Sequence, residues 1–490
     1  MNDERLELRS GSLEGARVSV LGLGRSGMAA AELALAKGGT VYASDANTEV
    51  AAPARLRALE HEGVRIDLGS HDPARIAESD LIVASPGIPP RAPVFRELAA
   101  RGRRWISEPE LAVRFHGGSL MAVTGTNGKT TTAMLAARLL EEAGTGVALG
   151  GNVGAGLAPA ASRLALDPDP AEWWVLELSS FQLAGIERLR PDVAVVTNLA
   201  PDHLDRYPDT ASYYADKARL AKNADSDTSW VFPLNDEQVT RTFASAAGTH
   251  YRFDASGGAA TARSGAVHGV LADGSLCVSE GVLARAGRLS RQGRRGGVGD
   301  DRAGDAWVRI LPRERFPLLG RHNVGNALAA LVAASLAGAD EAALARGLRS
   351  APGLPHRLEA VAEREGVLWV NDSKATNLAA ARGAITSLDR PIVLICGGKD
   401  KGEDLSDLVR RGDTVRAVIA MGEAGPRLAR ELALAQLHVA SDLATAVARA
   451  RDTACRGDCV LLSPACSSFD EFDDYAARGN AFRELVEAGP

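Results

Sequence analysis

Twice in this chain an apolar run breaks into a glycine-rich turn and continues as an Ala/Leu-rich stretch, and that recurrence constrains the fold more than any other feature. In the second copy, SLMAVTGTNGKTTTAMLAARLLEEAG, a buried strand feeds Gly125-Thr126-Asn127-Gly128-Lys129-Thr130-Thr131, and a helix follows. Such a turn points backbone N–H groups and a helix N-terminus at one spot, which suits an anion. Lys129 can reach the terminal phosphates of a nucleoside triphosphate, and the Thr130 hydroxyl can ligate Mg2+. The strict phosphate-loop spacing fails, because Val123-Thr124 stands where a glycine would open the loop. The turn is a shortened version, and its place between strand and helix speaks against a purely structural role.

The first copy is Gly22-Leu23-Gly24-Arg25-Ser26-Gly27, set between the strand RVSVLGLG and a helix expected over residues 28–37, with Asp45 ending the next strand. This is the dinucleotide-type turn: a tight bend, close backbone approach and a diphosphate at a helix N-terminus. Gly22, Gly24, Arg25, Ser26 and Asp45 are the candidate contacts. Ser85 and Gly87 join them at the end of a third strand, DLIVASPG, where ligands of such sheets bind. Alone, the turn reads as the NAD site of an oxidoreductase, but a UDP-linked substrate presents the same diphosphate. A dehydrogenase has no use for a triphosphate site. An ATP-dependent enzyme acting on a nucleotide-linked substrate uses both turns.

At roughly 150 residues per domain, 490 residues make about three domains. Strands and helices alternate through residues 1–116, 117–352 and 353–490, with buried strands also at WWVLELSS, DVAVVTNL, VLWVND, PIVLICGG, AVIAMG and CVLLSP. The fold class is α/β, and parallel sheets are expected in each region. Residues 255–305 break the pattern. They are Gly/Ala/Arg-rich, with Arg285, Arg288, Arg291, Arg294 and Arg295 clustered, and are expected to form a solvated insertion. A formal net charge of −6 argues against nucleic acid as a partner. No apolar run approaches the roughly 18 residues of a membrane span, and MNDERLELRSGSLEG has no apolar signal core, so a cytoplasmic protein without a membrane partner is expected. Cys455 and Cys459 lack a second pair at zinc spacing and are expected to be buried free thiols.

TGTNGKTTT, GGNVG, LELSSFQL, NLAPDHLDRY, GRHNVGNALAAL, GLPHRLE, NDSKATN and LLSPACSSFD together resemble the blocks of the Mur ligases, over about residues 17–485 without the insertion. The set in order is specific, though each block alone is weak. LELSSFQL, DSKATN and LSPACSS are most similar to the glutamate-adding branch. The resemblance implies three domains: a Rossmann-like N-terminal domain for the UDP substrate, a P-loop ATPase-like central domain, and a Rossmann-like C-terminal domain for the amino acid. It implies ATP-dependent addition of glutamate to UDP-N-acetylmuramoyl-L-alanine through an acyl phosphate, in peptidoglycan precursor synthesis. A monomer is expected.

The resemblance also assigns residues. Lys129, Glu177, His203, Lys217 and Arg357 are implied to be catalytic. Thr130, Glu177, His203 and Lys217 would hold Mg2+, Lys217 as a carbamylated lysine, with Lys222 its nearby competitor. Glu177 ends an apolar strand, where a carboxylate is costly without a cation. Either Asp202 or Asp205 could orient His203. Asn152 is implied to hold the substrate. Asn323 and Asn326, three apart on a helix, would contact adenine and Asp372 the ribose, while Arg357 bridges to phosphate. Lys374, Thr376, Lys401, Ser468 and Tyr475 are implied to bind glutamate. Here the chain departs from the usual pattern: Tyr475 replaces Phe, and Asp473 and Asp474 stand where basic or neutral residues are more common. D-glutamate is the first choice for the added amino acid, with an L-glutamate-adding variant as the alternative.

Overall fold

The computed structural model describes residues 11–50, 52–89, 92–203, 206–257, 267–284, 306–400, 402, 404–432 and 436–488. The chain divides into two compact units, one of residues 1–313 with 325–349, the other of 314–324 with 350–490.

In the first unit, β1 (Arg17–Leu21), β2 (Thr40–Asp45), β3 (Arg65–Leu68), β4 (Leu81–Ala84) and β5 (Ile106–Ser107) form a parallel sheet of order β3-β2-β1-β4-β5. The central strands are buried on both faces (Val18, Val20, Leu21, Ile82, Val83), which explains their unbroken apolar runs. Strand order reverses at β1, so the carboxyl ends of β1 and β4 open a crevice where ligands of such sheets bind. DLIVASPG supplies the fourth strand rather than the third, because β3 lies between. That edge strand, RIDL, is half exposed and carries little apolar signal. The helix Arg25–Ala36 starts three residues before the expected 28. Its buried Ala29, Ala30, Ala31 and Ala34 let it lie close on the sheet.

The second sheet of this unit comprises β6 (Ser119–Thr124), β7 (Val147–Gly151), β8 (Trp173–Glu177), β9 (Val193–Val196), β10 (Ser229–Pro233), β11 (Thr249–Asp254), β12 (Gly269–Ala272), β13 (Ser275–Ser279) and β14 (Trp307–Pro312), ordered β14-β13-β12-β11-β10-β9-β6-β8-β7. Pairing is parallel from β7 to β12 and antiparallel from β12 to β14, which corrects the expectation of a purely parallel sheet. For residues 267–284 the expectation of a solvated insertion is corrected as well. Residues 269–279 form a hairpin inside the sheet, with Val270, Leu276, Cys277 and Val278 buried. Its turn is Asp273-Gly274, both at positive φ (47° and 68°), the Asp-Gly signature of a two-residue hairpin loop. The five clustered arginines lie outside the described residues.

The second unit holds β15 (Glu359–Arg364), β16 (Val367–Asn371), β17 (Ile392–Gly397), β18 (Val415–Met421), β19 (Leu437–Ala440) and β20 (Cys459–Leu462), ordered β15-β16-β20-β17-β18-β19. All neighbours are parallel except β15 and β16. Cys459 is a buried free thiol as expected, but Cys455 is exposed, at the surface turn before β20. Among the described residues, no helix is long and apolar enough to cross a membrane.

Candidate active site

The phosphate loop grows out of β6. Thr124 belongs to the strand: it is fully buried, and its Oγ1 donates to the carbonyl of Leu178 at 2.8 Å, so the loop is short because the strand continues to this point. Gly128 caps the helix Lys129–Glu142 at φ 80°. A Cβ there would stand 2.3 Å from Asn326 Oδ1, so only glycine lets this asparagine lie against the loop. Asn127 is held by Asn198, whose Oδ1 accepts from its N–H at 3.0 Å and whose Nδ2 donates to its carbonyl at 2.9 Å. Asn198 opens the block NLAPDHLDRY, but nothing in the residue pattern gives it this role, since an asparagine after a strand is common in any turn. Lys129 Nζ donates to the Thr126 carbonyl at 2.8 Å.

Glu177 reaches this loop through sheet register. It pairs with Val123 across β6 and β8, is 2 % exposed, and accepts from Thr130 Oγ1 at 2.7 Å on Oε2. A buried carboxylate and a hydroxyl converging at a helix N-terminus form a hard oxygen donor set, which fits Mg2+. Asn152 follows β7, and its N–H donates to the Glu177 carbonyl at 2.8 Å, which brings it to the same strand end.

Lys217 sits in the helix Thr210–Ala218, whose cap is the Asp209 carboxylate accepting from Ser212 N–H at 2.7 Å. The lysine is 1 % exposed. Its Nζ donates to the Gly125 carbonyl at 2.7 Å and lies 4.9 Å from the centre of the Tyr213 ring. Burial, and then the nearby Lys129 ammonium, hold its pKa well below the ordinary lysine value, against the opposing pull of Asp202 and Glu177. Lys222 is different: it is partly exposed and paired with Glu187 at 2.6 Å. Tyr213 is buried, shares a 3.2 Å hydrogen bond with Thr126 Oγ1, and burial pushes its phenol up to about 12.

His203 is half exposed at φ 54°, with Nε2 3.8 Å from Asp202 Oδ2 and its ring 5.3 Å from Phe181. Asp202 is thus the carboxylate beside it, while Asp205 lies outside the described residues. A left-handed backbone at a non-glycine residue costs about 1–3 kcal/mol and clusters at working sites.

The diphosphate-type turn is equally built. Asp45 accepts from Leu23 N–H at 2.6 Å and from Asn47 N–H at 2.9 Å, so its carboxylate braces the turn. Gly27 is compulsory, because a Cβ would lie 1.7 Å from the Gly22 carbonyl. Ser85 packs on Gly22 from the neighbouring strand end, with Gly87 two residues on. Gly24 and Ser26 flank Arg25, which donates to the Ala158 carbonyl at 2.7 Å.

In the second unit Arg357 is exposed between two residues at positive φ, His356 (62°) and Leu358 (42°). Asp372 holds this turn. Its Oδ1 accepts from Leu358 N–H at 3.2 Å and its Oδ2 from Ser463 Oγ at 2.8 Å, and burial pushes its pKa up to about 7. Oδ1 thus braces the Arg357 turn while Oδ2 is tied to the residue that follows β20, a task the ribose-contact expectation does not include. His356 is braced by Asn371 Nδ2 at 3.0 Å and packed on Gly479.

Lys374 Nζ lies 5.3 Å from the centre of the Tyr475 ring. Thr376 follows in the same loop, its N–H donating to the Lys374 carbonyl at 2.9 Å, and Ser468 is 1 % exposed. Lys401 lies outside the described residues. Asp474 accepts from Ala477 N–H at 2.7 Å and so caps the last helix, which gives one of the two unusual carboxylates a structural task. Arg478, one turn on, is 1 % exposed and donates to Ser373 Oγ and to the carbonyls of Ser373, Cys466 and Ser467. It ties the DSK loop to the PACSS loop. Its burial is a tertiary fact, and the sequence around it looks like any exposed helix. Asn323 also belongs to this unit; it is 8 % exposed and donates to the Leu319 carbonyl at 2.7 Å.

Comparison with known proteins agrees with this geometry. Residues 16–107 match the family description "Mur ligase MurD-like, N-terminal domain", 123–286 "Mur ligase middle domain", and 356–466 "Mur ligase, glutamate ligase domain". A protein of Acidobacterium capsulatum named UDP-N-acetylmuramoylalanine–D-glutamate ligase is 38% identical over 480 residues, covering 97% of each chain. One of the same name from Anaeromyxobacter dehalogenans is 41% identical, covering 97% of this chain and 98% of that protein. The chain belongs to the Mur ligase family. The solved structure of UDP-N-acetylmuramate–alanine ligase from Thermotoga maritima covers 97% of this Mur ligase at 16% identity with a TM-score of 0.53, a likeness of fold. The three-domain α/β architecture is thus that of the Mur ligases.

Proposed function

We propose that this Mur ligase joins glutamate, in its D form, to UDP-N-acetylmuramoyl-L-alanine at the expense of ATP, a step of peptidoglycan precursor synthesis. The single observation that carries the reading is the convergence of the phosphate loop, the Thr130–Glu177 pair and the buried Lys217 at one end of β6 and β8. The relatives named as D-glutamate ligases support the enantiomer.

The substrate carboxylate attacks the γ-phosphorus of ATP, ADP leaves, and an acyl phosphate remains. The glutamate amine then attacks the acyl carbon, phosphate leaves with the C–O bond, and the amine loses a proton. An anion attacking an anion needs fixed positive charge and in-line positioning. Lys129 supplies an ammonium at the loop. Thr130 and Glu177 would hold one Mg2+, and His203 with Lys217 a second, which would supply positive charge against the phosphates and the attacking carboxylate. Lys217 takes part as its carbamate. A low pKa leaves a neutral amine that adds to CO2 and releases a proton, turning a buried cation into an oxygen donor.

The remaining assignments follow the same division into domains of residues 1–116, 117–352 and 353–490. Gly22, Gly24, Arg25, Ser26, Asp45, Ser85, Gly87 and Asn152 serve the UDP substrate. Gly125 to Thr131, Asn323, Asn326, Arg357 and Asp372 serve ATP. Lys374, Thr376, Lys401, Ser468 and Tyr475 serve glutamate. The enzyme acts in the cytoplasm as a monomer. Phosphate release with UDP-N-acetylmuramoyl-L-alanine, ATP, Mg2+ and each glutamate enantiomer tests the reading. Release with D-glutamate is expected; no release with either enantiomer overturns it.

A further inference from the structure

Arg25 opens the helix Arg25–Ala36 in the diphosphate-type turn, and its side chain reaches out of that turn to a segment 133 residues further along the chain. Nη2 donates to the Ala158 carbonyl at 2.7 Å, and Nη1 lies over Gly156, where a Cβ would stand 3.4 Å away. The residue is exposed, and Ala158 is the sole hydrogen-bond partner of its guanidinium among the described residues. From Ala158 the contacts run on to the phosphate loop without a gap. The next residue, Pro159, accepts from Gly151 N–H at 3.0 Å. Beside Gly151, the N–H of Asn152 donates to the Glu177 carbonyl at 2.8 Å. Glu177 Oε2 accepts from Thr130 Oγ1 at 2.7 Å. Gly151 leaves no slack in this chain: it stands at φ 92°, and a Cβ there would lie 2.4 Å from the Glu177 carbonyl oxygen. The links near Glu177 are buried, whereas the first is a long exposed side chain held by one bond, which keeps much of its rotamer freedom.

We propose that Arg25 is a positioning residue that couples the diphosphate turn to the Thr130–Glu177 pair. A diphosphate bound in the turn accepts from the donors of Arg25 that Ala158 leaves open, and so fixes the guanidinium from its second side. The Ala158 carbonyl, segment 151–160 and the backbone of Glu177 are then held in turn. The inference rests on the reading of this turn as the site of the UDP-linked substrate. A second ligand that meets an already ordered segment has less order to impose. UDP and Mg2+-bound ATP therefore strengthen one another, each by the same factor.

Two measurements on the full-length protein test this, with UDP as the probe. In the first, hydrogen exchange of the peptide 150–160 is followed by mass spectrometry. UDP at saturation should slow it in the native chain; Arg25→Ala should exchange about tenfold faster, the cost of one charge-assisted hydrogen bond, and saturating UDP should leave it unprotected. In the second, Mg2+-bound ATP is titrated calorimetrically with and without UDP. UDP should tighten it at least about fivefold in the native chain. Arg25→Lys keeps a charge for the diphosphate but lacks the fork that spans two partners, so it should bind UDP within about tenfold of the native affinity and lose the tightening. Unchanged exchange in Arg25→Ala, UDP protection of that variant equal to the native, or equal tightening in Arg25→Lys overturns the proposal alone. Failure of UDP to bind the native chain overturns the substrate reading and the proposal with it.

Discussion

The Lys217 ammonium donates to the carbonyl oxygen of Gly125, the first glycine of the phosphate loop, at 2.7 Å. This one bond joins the helix that carries the buried lysine to the loop that carries the nucleotide. The lysine is desolvated and faces a second cation, Lys129, so its ammonium form is disfavoured. Lys217→Ala should lower turnover a hundredfold or more, roughly the cost of losing one preorganised electrostatic group. Bicarbonate at high concentration should not restore it. Near-normal turnover in this variant contradicts the carbamate role.

Glu177→Gln keeps the Thr130 hydrogen bond and removes the charge. Turnover should fall about a hundredfold or more, and the Mg2+ concentration for half-maximal rate should rise. An unchanged Mg2+ dependence would mean that Glu177 is only a structural partner of Thr130.

Gly128→Ala places a Cβ 2.3 Å from Asn326 Oδ1 at a left-handed backbone position. The conformational part alone costs about 1–2 kcal/mol. Asn326→Ala removes the steric partner, so urea unfolding of the double variant should show a smaller loss than the sum of the singles, by about 1 kcal/mol. Strict additivity would deny the contact.

Much of this was legible in the residues because it rests on local chemistry. GTNGKT and GLGRSG each sit between strand and helix, and a glycine turn in that place has few other uses. The preference for Lys217 over Lys222 rests on spacing within a resemblance; in the structure Lys217 is buried and Lys222 is paired at the surface. What stayed hidden is tertiary. Arg478 and Asn198 earn no local signal, and Glu110 looks like an ordinary acidic helix residue until the N–H groups of Arg188 and Leu189 close on it. The β12–β13 hairpin was obscured by the Gly/Arg-rich stretches around it, although its Asp273-Gly274 turn was in plain view. The edge strand β3 lacked the apolar run by which its neighbours were recognised.

Stability should fall as pH rises from about 4.5 to about 7. Glu108 is fully buried at the start of the helix Glu108–Val113, accepts from Ser162 N–H on Oε1, and is pushed by burial from 4.5 up to about 7. Asp372 is raised to about 7 by the same cause. For each, the folded pKa exceeds the unfolded one, so the unfolded state gives up its proton first. Stability is therefore full below the unfolded pKa and declines until the folded pKa is passed. The Glu108 share is on the order of 3 kcal/mol. Chemical denaturation of Glu108→Gln at pH 5 and pH 8 checks this: the variant should lose part of the pH dependence and gain relative stability at pH 8. A parallel shift at both pH values contradicts it.

The substrate carboxylate, activated by ATP at the loop beside Lys129, should become an acyl phosphate before glutamate arrives. Labelling that carboxylate of UDP-N-acetylmuramoyl-L-alanine with 18O and analysing the released phosphate by mass spectrometry tests it directly. One labelled oxygen per phosphate released with D-glutamate is the predicted result; unlabelled phosphate at full product yield would contradict the account.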